Sequence, residues 1–98
     1  ADIEVPRLKV TAHSDDKNMV IASVINAYGL QNVKTAVWGK KDGQNDIKWY
    51  ELTDAGDGTF KAEIDLSAHK ETGVFYFHTY ADHNSRTDFI DGAEYAFG

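Results

Sequence analysis

The chain has no cysteine, one proline and one methionine in 98 residues, and each scarcity removes a class of protein. Without thiols there is no disulfide scaffold, no thiolate zinc or iron–sulfur centre and no cysteine nucleophile. Basic residues are also scarce, with ten Lys plus Arg against sixteen Asp plus Glu and a net charge of −6. That is the wrong sign for binding a phosphate backbone, so nucleic acid is not an expected partner. No stretch approaches the ~20 apolar residues that cross a bilayer, and no membrane insertion is expected. Nor does any segment sustain apolar residues at helical spacing.

What the chain does have is aromatic and β-branched side chains at strand spacing. Its five Phe, five Tyr and two Trp favour pleated, half-buried surfaces. Strand signals recur at short intervals between turn residues, the pattern of an all-β sandwich or barrel. Leu8-Lys9-Val10-Thr11-Ala12 alternates until the polar run His13 to Asn18. Met19 to Ile25 is apolar or small on both faces, as a central strand covered on two sides would be. Val33 to Trp38 leads through Asp42-Gly43 to Ile47–Leu52, which reads as a hairpin. Phe60, Ala62, Ile64 and Leu66 alternate with Lys61, Glu63 and Asp65, so this strand has one wet face. Gly73 to Ala81 is the longest aromatic strand, followed by Asp88-Phe89-Ile90 and Tyr95-Ala96-Phe97. Roughly seven antiparallel strands, with a Trp in the third, predict one immunoglobulin-like β-sandwich over residues 1–98, lacking the disulfide. The opening Ala1-Asp2-Ile3-Glu4-Val5-Pro6 reads as the start of a module within a longer or processed polypeptide.

Catalysis finds no constellation in this pattern. Asp65, Ser67 and His69 are triad residue types, but at a spacing of two they lie side by side rather than converge across a cleft. His69, His78, His83 and Asp82 lack the i, i+2 or i, i+4 histidine spacing of a metal site, so no catalytic or metal residue and no cofactor is assigned. The acidic turns Asp15-Asp16, Asp42 to Asp46 and Asp54 to Asp57 lack the ordered carboxylates of a calcium loop.

The hairpin is more informative. A reversal centred between residues 43 and 44 puts Trp38 directly opposite Trp49. Lys34, Ala36, Trp38 and Lys40 share one face of their strand, and the lysines mark that face as wet. On this parity Trp38 is exposed; the alternative is that it is the core tryptophan of the sandwich and that Trp49 covers an edge. Phe75 and Phe77 point to the core, leaving Tyr76, His78 and Tyr80 on the face adjoining Trp38. Trp38, Trp49, Tyr76, His78 and Tyr80, edged by Lys34, Lys40 and Lys48, form a candidate sugar-stacking surface.

These residues also carry a family resemblance. Val37-Trp38, the segment Lys41-Asp42-Gly43-Gln44-Asn45-Asp46-Ile47-Lys48-Trp49-Tyr50, Asp57-Gly58-Thr59-Phe60, His69-Lys70, and Gly73 with Phe75, His78 and Tyr80 resemble the streptococcal Bsp-like repeat. The likeness runs from about Val10 to Ile90, with Phe75 where the family tends to have Tyr, Asn45 where it often has Asp, and a poorly matching last strand. The resemblance implies a non-enzymatic module of secreted and wall-lytic proteins of Gram-positive bacteria, often in tandem and beside peptidoglycan hydrolase domains. The implied partners are cell-wall glycan or peptidoglycan and the covalently attached hydrolase or repeat modules. The competing expectation is a ligand-free spacer.

Overall fold

A computed structural model describes residues 5–41, 46–69 and 72–98. Among the described residues, eight strands form two antiparallel sheets. They are β1 (Arg7–Ala12), β2 (Met19–Ile25), β3 (Gln31–Gly39), β4 (Lys48–Glu51), β5 (Thr53–Asp54), β6 (Phe60–Asp65), β7 (Gly73–His83) and β8 (Arg86–Phe97). The first sheet has the order β1-β2-β6-β5 and the second β4-β3-β7-β8, the two-sheet arrangement of an immunoglobulin-like sandwich. The expected seven strands become eight through the two-residue β5, too short for its own signal. The segments around Phe89 and Tyr95 join into the single strand β8.

Alternation places the core. Leu8, Val20, Ala22, Val24, Phe60 and Ile64 from the first sheet meet Val33, Val37, Phe75, Phe77 and Ala81 from the second. Each fully buried Phe of β7 stabilises the fold by about 1.5–3 kcal/mol. Along β2 every second residue is buried while Met19, Ile21, Ser23 and Ile25 stay partly exposed. The two-sided cover expected of this strand is therefore absent. Among the described residues its outward face has no second layer and is flanked instead by residues such as Thr11 and Glu63, the cross-strand partners of Ile21.

Local chemistry fixes the connections. Asp16 accepts the Asn18 N–H at 2.9 Å, and Asp54 accepts the Gly56 N–H at 2.7 Å, so these acidic residues hold turns through their own backbone. The β7–β8 reversal places Asn84 and Ser85 at φ 51° and 66°, the two consecutive positive values of a type I′ hairpin. Gly58 has φ +82°, a backbone conformation that favours glycine, and the exposed Tyr28 ring lies against it. The edge strands of the two sheets are tied by the Leu8 N–H, which donates to the Asp91 carboxylate at 2.8 Å. The Asp42-Gly43 reversal lies outside the described residues, as do Lys70 and Glu71.

Candidate functional site

The outward face of the second sheet gathers aromatic rings from three strands. β3 is central, pairing with β4 on one side and β7 on the other. The register sets Ala36 opposite both Trp49 and His78, and Trp38 opposite Tyr76. Residues directly opposite share a face, so Trp38, Trp49, Tyr76, His78 and Tyr80 all lie on the outward side of the sheet. Lys34 is on this side opposite Tyr80, and Lys40 follows by parity, its N–H donating to the Val74 carbonyl at 2.8 Å.

Three expectations for this face are corrected. Trp49 stands opposite Ala36 rather than Trp38, the β3–β4 register being offset by two residues from the expected one. Trp38 is not exposed: it is 8 % accessible and touches His78 edge-on at 4.7 Å and Tyr76 at 5.7 Å. It is not a tryptophan of the inter-sheet core either, since strand parity points it outward, and neighbouring rings exclude the water. Finally, Lys48 is opposite Val37, whose side chain faces the core. That parity puts Lys48 on the other side of β4 from the ring surface.

The open part of the face consists of Trp49, Tyr80 and Phe89. Trp49 is 53 % and Phe89 52 % accessible. Tyr80 links them, its ring centroid 5.7 Å from that of Trp49 and 5.6 Å from that of Phe89. Two small residues make this continuity possible. Ala36 is on the outward face yet only 2 % accessible, so Trp49 on β4 reaches across it to Tyr80 on β7. Gly92 lies beside His78 in the register, and a Cβ there would approach the His78 ring at 3.3 Å and the Phe89 ring at 3.5 Å.

Phe89 is the residue that sequence reasoning missed. Between the Thr79–Asp91 and Tyr80–Phe89 pairs the ladder shifts by one residue. The extra residue, Ile90, packs against the core, and Phe89 turns outward. Simple alternation from Asp91 would give the reverse. Bulges re-aim side chains in this way, and no residue type announces this one.

Electrostatics concentrate at three places. Lys34 Nζ sits 5.5 Å from the Trp49 ring centroid, a cation–π contact. At the end of β7, Asp82 accepts hydrogen bonds from the Thr87 hydroxyl and from Asn32 Nδ2 at 2.9 Å. Those bonds, aided by the Lys34 charge, hold its carboxyl below the usual carboxylate range. On the inward side of β4, Tyr50 Oη is 3.1 Å from His69 Nε2, and His69 Nδ1 is 3.3 Å from Asp46. Burial, reinforced by the charges of Asp65 and Asp46, raises the Tyr50 pKa. His69 is itself buried, whereas Ser67 donates to Asp65 at 2.6 Å. The three triad residue types do not converge, and the buried histidine ties β4 to the short 3₁₀ turn Leu66–His69. His78 and His83 are apart from it, one among the surface rings and one at the end of β7.

Comparison with known proteins extends these observations. The family model of the GBS Bsp-like repeat matches residues 8–94. Among solved structures, a polysaccharide deacetylase from Bacillus cereus is similar over 96 % of this chain and 30 % of its own, with a TM-score of 0.78 and 14 % identity. A bromine derivative of the carbohydrate-binding module BhCBM56 matches over 91 % of this chain and 88 % of its own, with a TM-score of 0.65 and 10 % identity. The catalytic module of the pneumococcal glycogen-degrading virulence factor SpuA matches over 91 % of this chain but 12 % of its own, at 0.66 and 17 %. At these identities the likeness shows the sandwich fold alone. The chain spans less than a third of the deacetylase and about an eighth of the SpuA module. No curated protein matches it.

Proposed function

The chain belongs to the GBS Bsp-like repeat family, and from that premise we propose that it is a non-catalytic glycan-binding module that holds an attached hydrolase or surface protein at the Gram-positive cell wall. The observation that carries this reading is the open run Trp49–Tyr80–Phe89. Two half-exposed large rings bridged by a third are a surface that soluble proteins rarely leave bare without a use. Flat indole and phenyl faces match the C–H faces of a pyranose, while Lys34, His78 and the Tyr80 hydroxyl supply polar groups at its edge. Two neighbours named for polysaccharide or carbohydrate, at the same fold, support the choice of ligand class. One shallow face gives weak binding, so retention at the wall comes from repeated modules and from avidity. On this reading the parent protein is secreted or surface-attached. Among the described residues, no helix is long and apolar enough to cross a membrane.

Cosedimentation with purified wall sacculi, before and after removal of teichoic acid, tests the proposal. The unsubstituted domain should pellet with both preparations, and Trp49→Ala and Phe89→Ala should each reduce the bound fraction while the melting temperature stays near that of the parent. Undiminished pelleting of both folded variants, or no pelleting of the parent, overturns it in favour of a ligand-free spacer. Fluorescence adds a second reading. Trp49 emission should be quenched by acrylamide and protected by bound glycan, whereas Trp38 emission should stay blue-shifted throughout.

A further inference from the structure

At one end of the ring run the surface changes from aromatic to polar. Asn32, Lys34, Glu51 and Asp82 surround a depression of about 470 Å³ floored by Leu52 and Phe60. Lys34 belongs to both regions: it stands opposite Glu51 and Tyr80 in the ladders, and its ammonium lies over Trp49. Asp82 is held in place before any ligand arrives, by Asn32 and Thr87. Each of its oxygens accepts one of these bonds and keeps a second acceptor position. Two carboxylates, an ammonium and an amide around an apolar floor are groups that pair with hydroxyls, accepting from and donating to neighbouring O–H groups. The charge balance narrows the ligand further. One ammonium faces two carboxylates, so a phosphate or a sugar acid would meet net repulsion.

We propose that this depression is a hydroxyl-binding subsite for an uncharged sugar residue, whose neighbouring residue in the same chain stacks on Trp49 and Tyr80. Asp82 and Glu51 accept from the hydroxyls, and Lys34 and Asn32 donate to them. The inference rests on the glycan-binding reading above and sharpens it: the module selects neutral glycan over anionic wall polymer.

Calorimetric or NMR titration of the folded domain with neutral oligosaccharides of N-acetylglucosamine and of glucose, and separately with glycerol-phosphate polymer, decides the matter. At least one neutral oligosaccharide should bind, with an affinity that changes little with salt, because no ion pair to the ligand is involved. Asp82→Ala and Lys34→Ala should each weaken that binding about three- to tenfold, in keeping with one lost charge-assisted hydrogen bond in a partly wet site. Asp82→Asn, which keeps one acceptor, should lose less. If Trp49→Ala weakens binding while the Asp82 and Lys34 variants bind like the parent, the subsite is wrong and the stacking surface stands. If none of these folded variants weakens binding, or no neutral oligosaccharide binds, the glycan reading itself fails. Preference for the glycerol-phosphate polymer, with affinity falling steeply as salt rises, overturns the selection for uncharged sugar.

Discussion

The outward faces of the two sheets obey the same alternation and carry different loads. On the first sheet, Ile21 lies between Thr11 and Glu63, and Ser23 between Lys9 and Lys61. Half-buried aliphatic groups there are dispersed among long polar side chains whose stems lie along the surface. The corresponding positions of the second sheet hold Trp38, Trp49, Tyr76, His78, Tyr80 and Phe89, in mutual contact. Part of that face is closed, with Trp38 beneath its neighbours, and part is open at Trp49 and Phe89. Strand periodicity therefore settles which side is outward, but the residues placed outward decide whether that side is a solvated exterior, a packed layer or a binding surface.

The sharpest way to break the contrast is to truncate one residue on each outward face. Trp38→Ala should cost about 3–5 kcal/mol, as for a buried aromatic, whereas Ile21→Ala on the first sheet should cost about 1 kcal/mol or less, as near-surface changes do. Urea unfolding measures both, and equal costs would mean that the second sheet has no outer packed layer. The inward faces differ as well. Thr35 and Thr79 oppose each other in the second sheet, fully buried, and among the described residues their hydroxyls have no hydrogen-bond partner. The inward side of the first sheet is aliphatic and aromatic. Replacing either threonine by valine should bring the second sheet level with it and raise stability by about 1–3 kcal/mol; a loss in thermal or urea melts would show that the hydroxyls are satisfied in solution.

Smaller effects separate the parts of the second sheet. Ser85 has a positive φ in the hairpin that aligns β7 with β8. Ser85→Gly removes that strain and should raise stability by about 0.5–1 kcal/mol without altering glycan binding, and an unchanged melting temperature would contradict it. Titration should divide the inner and outer sides of the sheet. Tyr50, on the inward side, has its pKa raised on folding, so its contribution is complete below about pH 10 and is lost as pH rises through the folded value. Asp82 behaves oppositely: with its pKa lowered, its contribution is present above about pH 4 and is lost as pH falls through the folded value. Tyr50→Phe should flatten only the alkaline limb of a stability–pH profile, and Asp82→Asn only the acid limb.

Much of the fold was legible because burial imposes period two. Phe60, Ala62, Ile64 and Leu66, with Phe75 and Phe77, could be assigned to the inward side from alternation, and Tyr76, His78 and Tyr80 to the outer face. β5 and the joined β8 were not legible, since they depend on pairing with strands distant in sequence. At the candidate site, parity correctly put Trp38 and Trp49 on one face but could not give their register, which is a property of the pairing between β3 and β4. Lys48 was misassigned for a different reason: it is the chain neighbour of Trp49 on β4, and successive residues of a strand point to opposite faces in any register. Phe89 was missed because a bulge reverses its direction, and the Asp82 depression because Asn32, Glu51 and Asp82 come from three different strands.

By itself the sequence determined an all-β sandwich without cysteine, its family, and a surplus of aromatic residues beyond what one core needs, because composition and alternation are local and survive without knowledge of partners. The tertiary structure decided how those aromatics divide. Cross-strand register and one bulge bury Trp38 under its neighbours while leaving Trp49 and Phe89 open. Exposure is a property of what lies across the ladder, and no residue carries that information about itself.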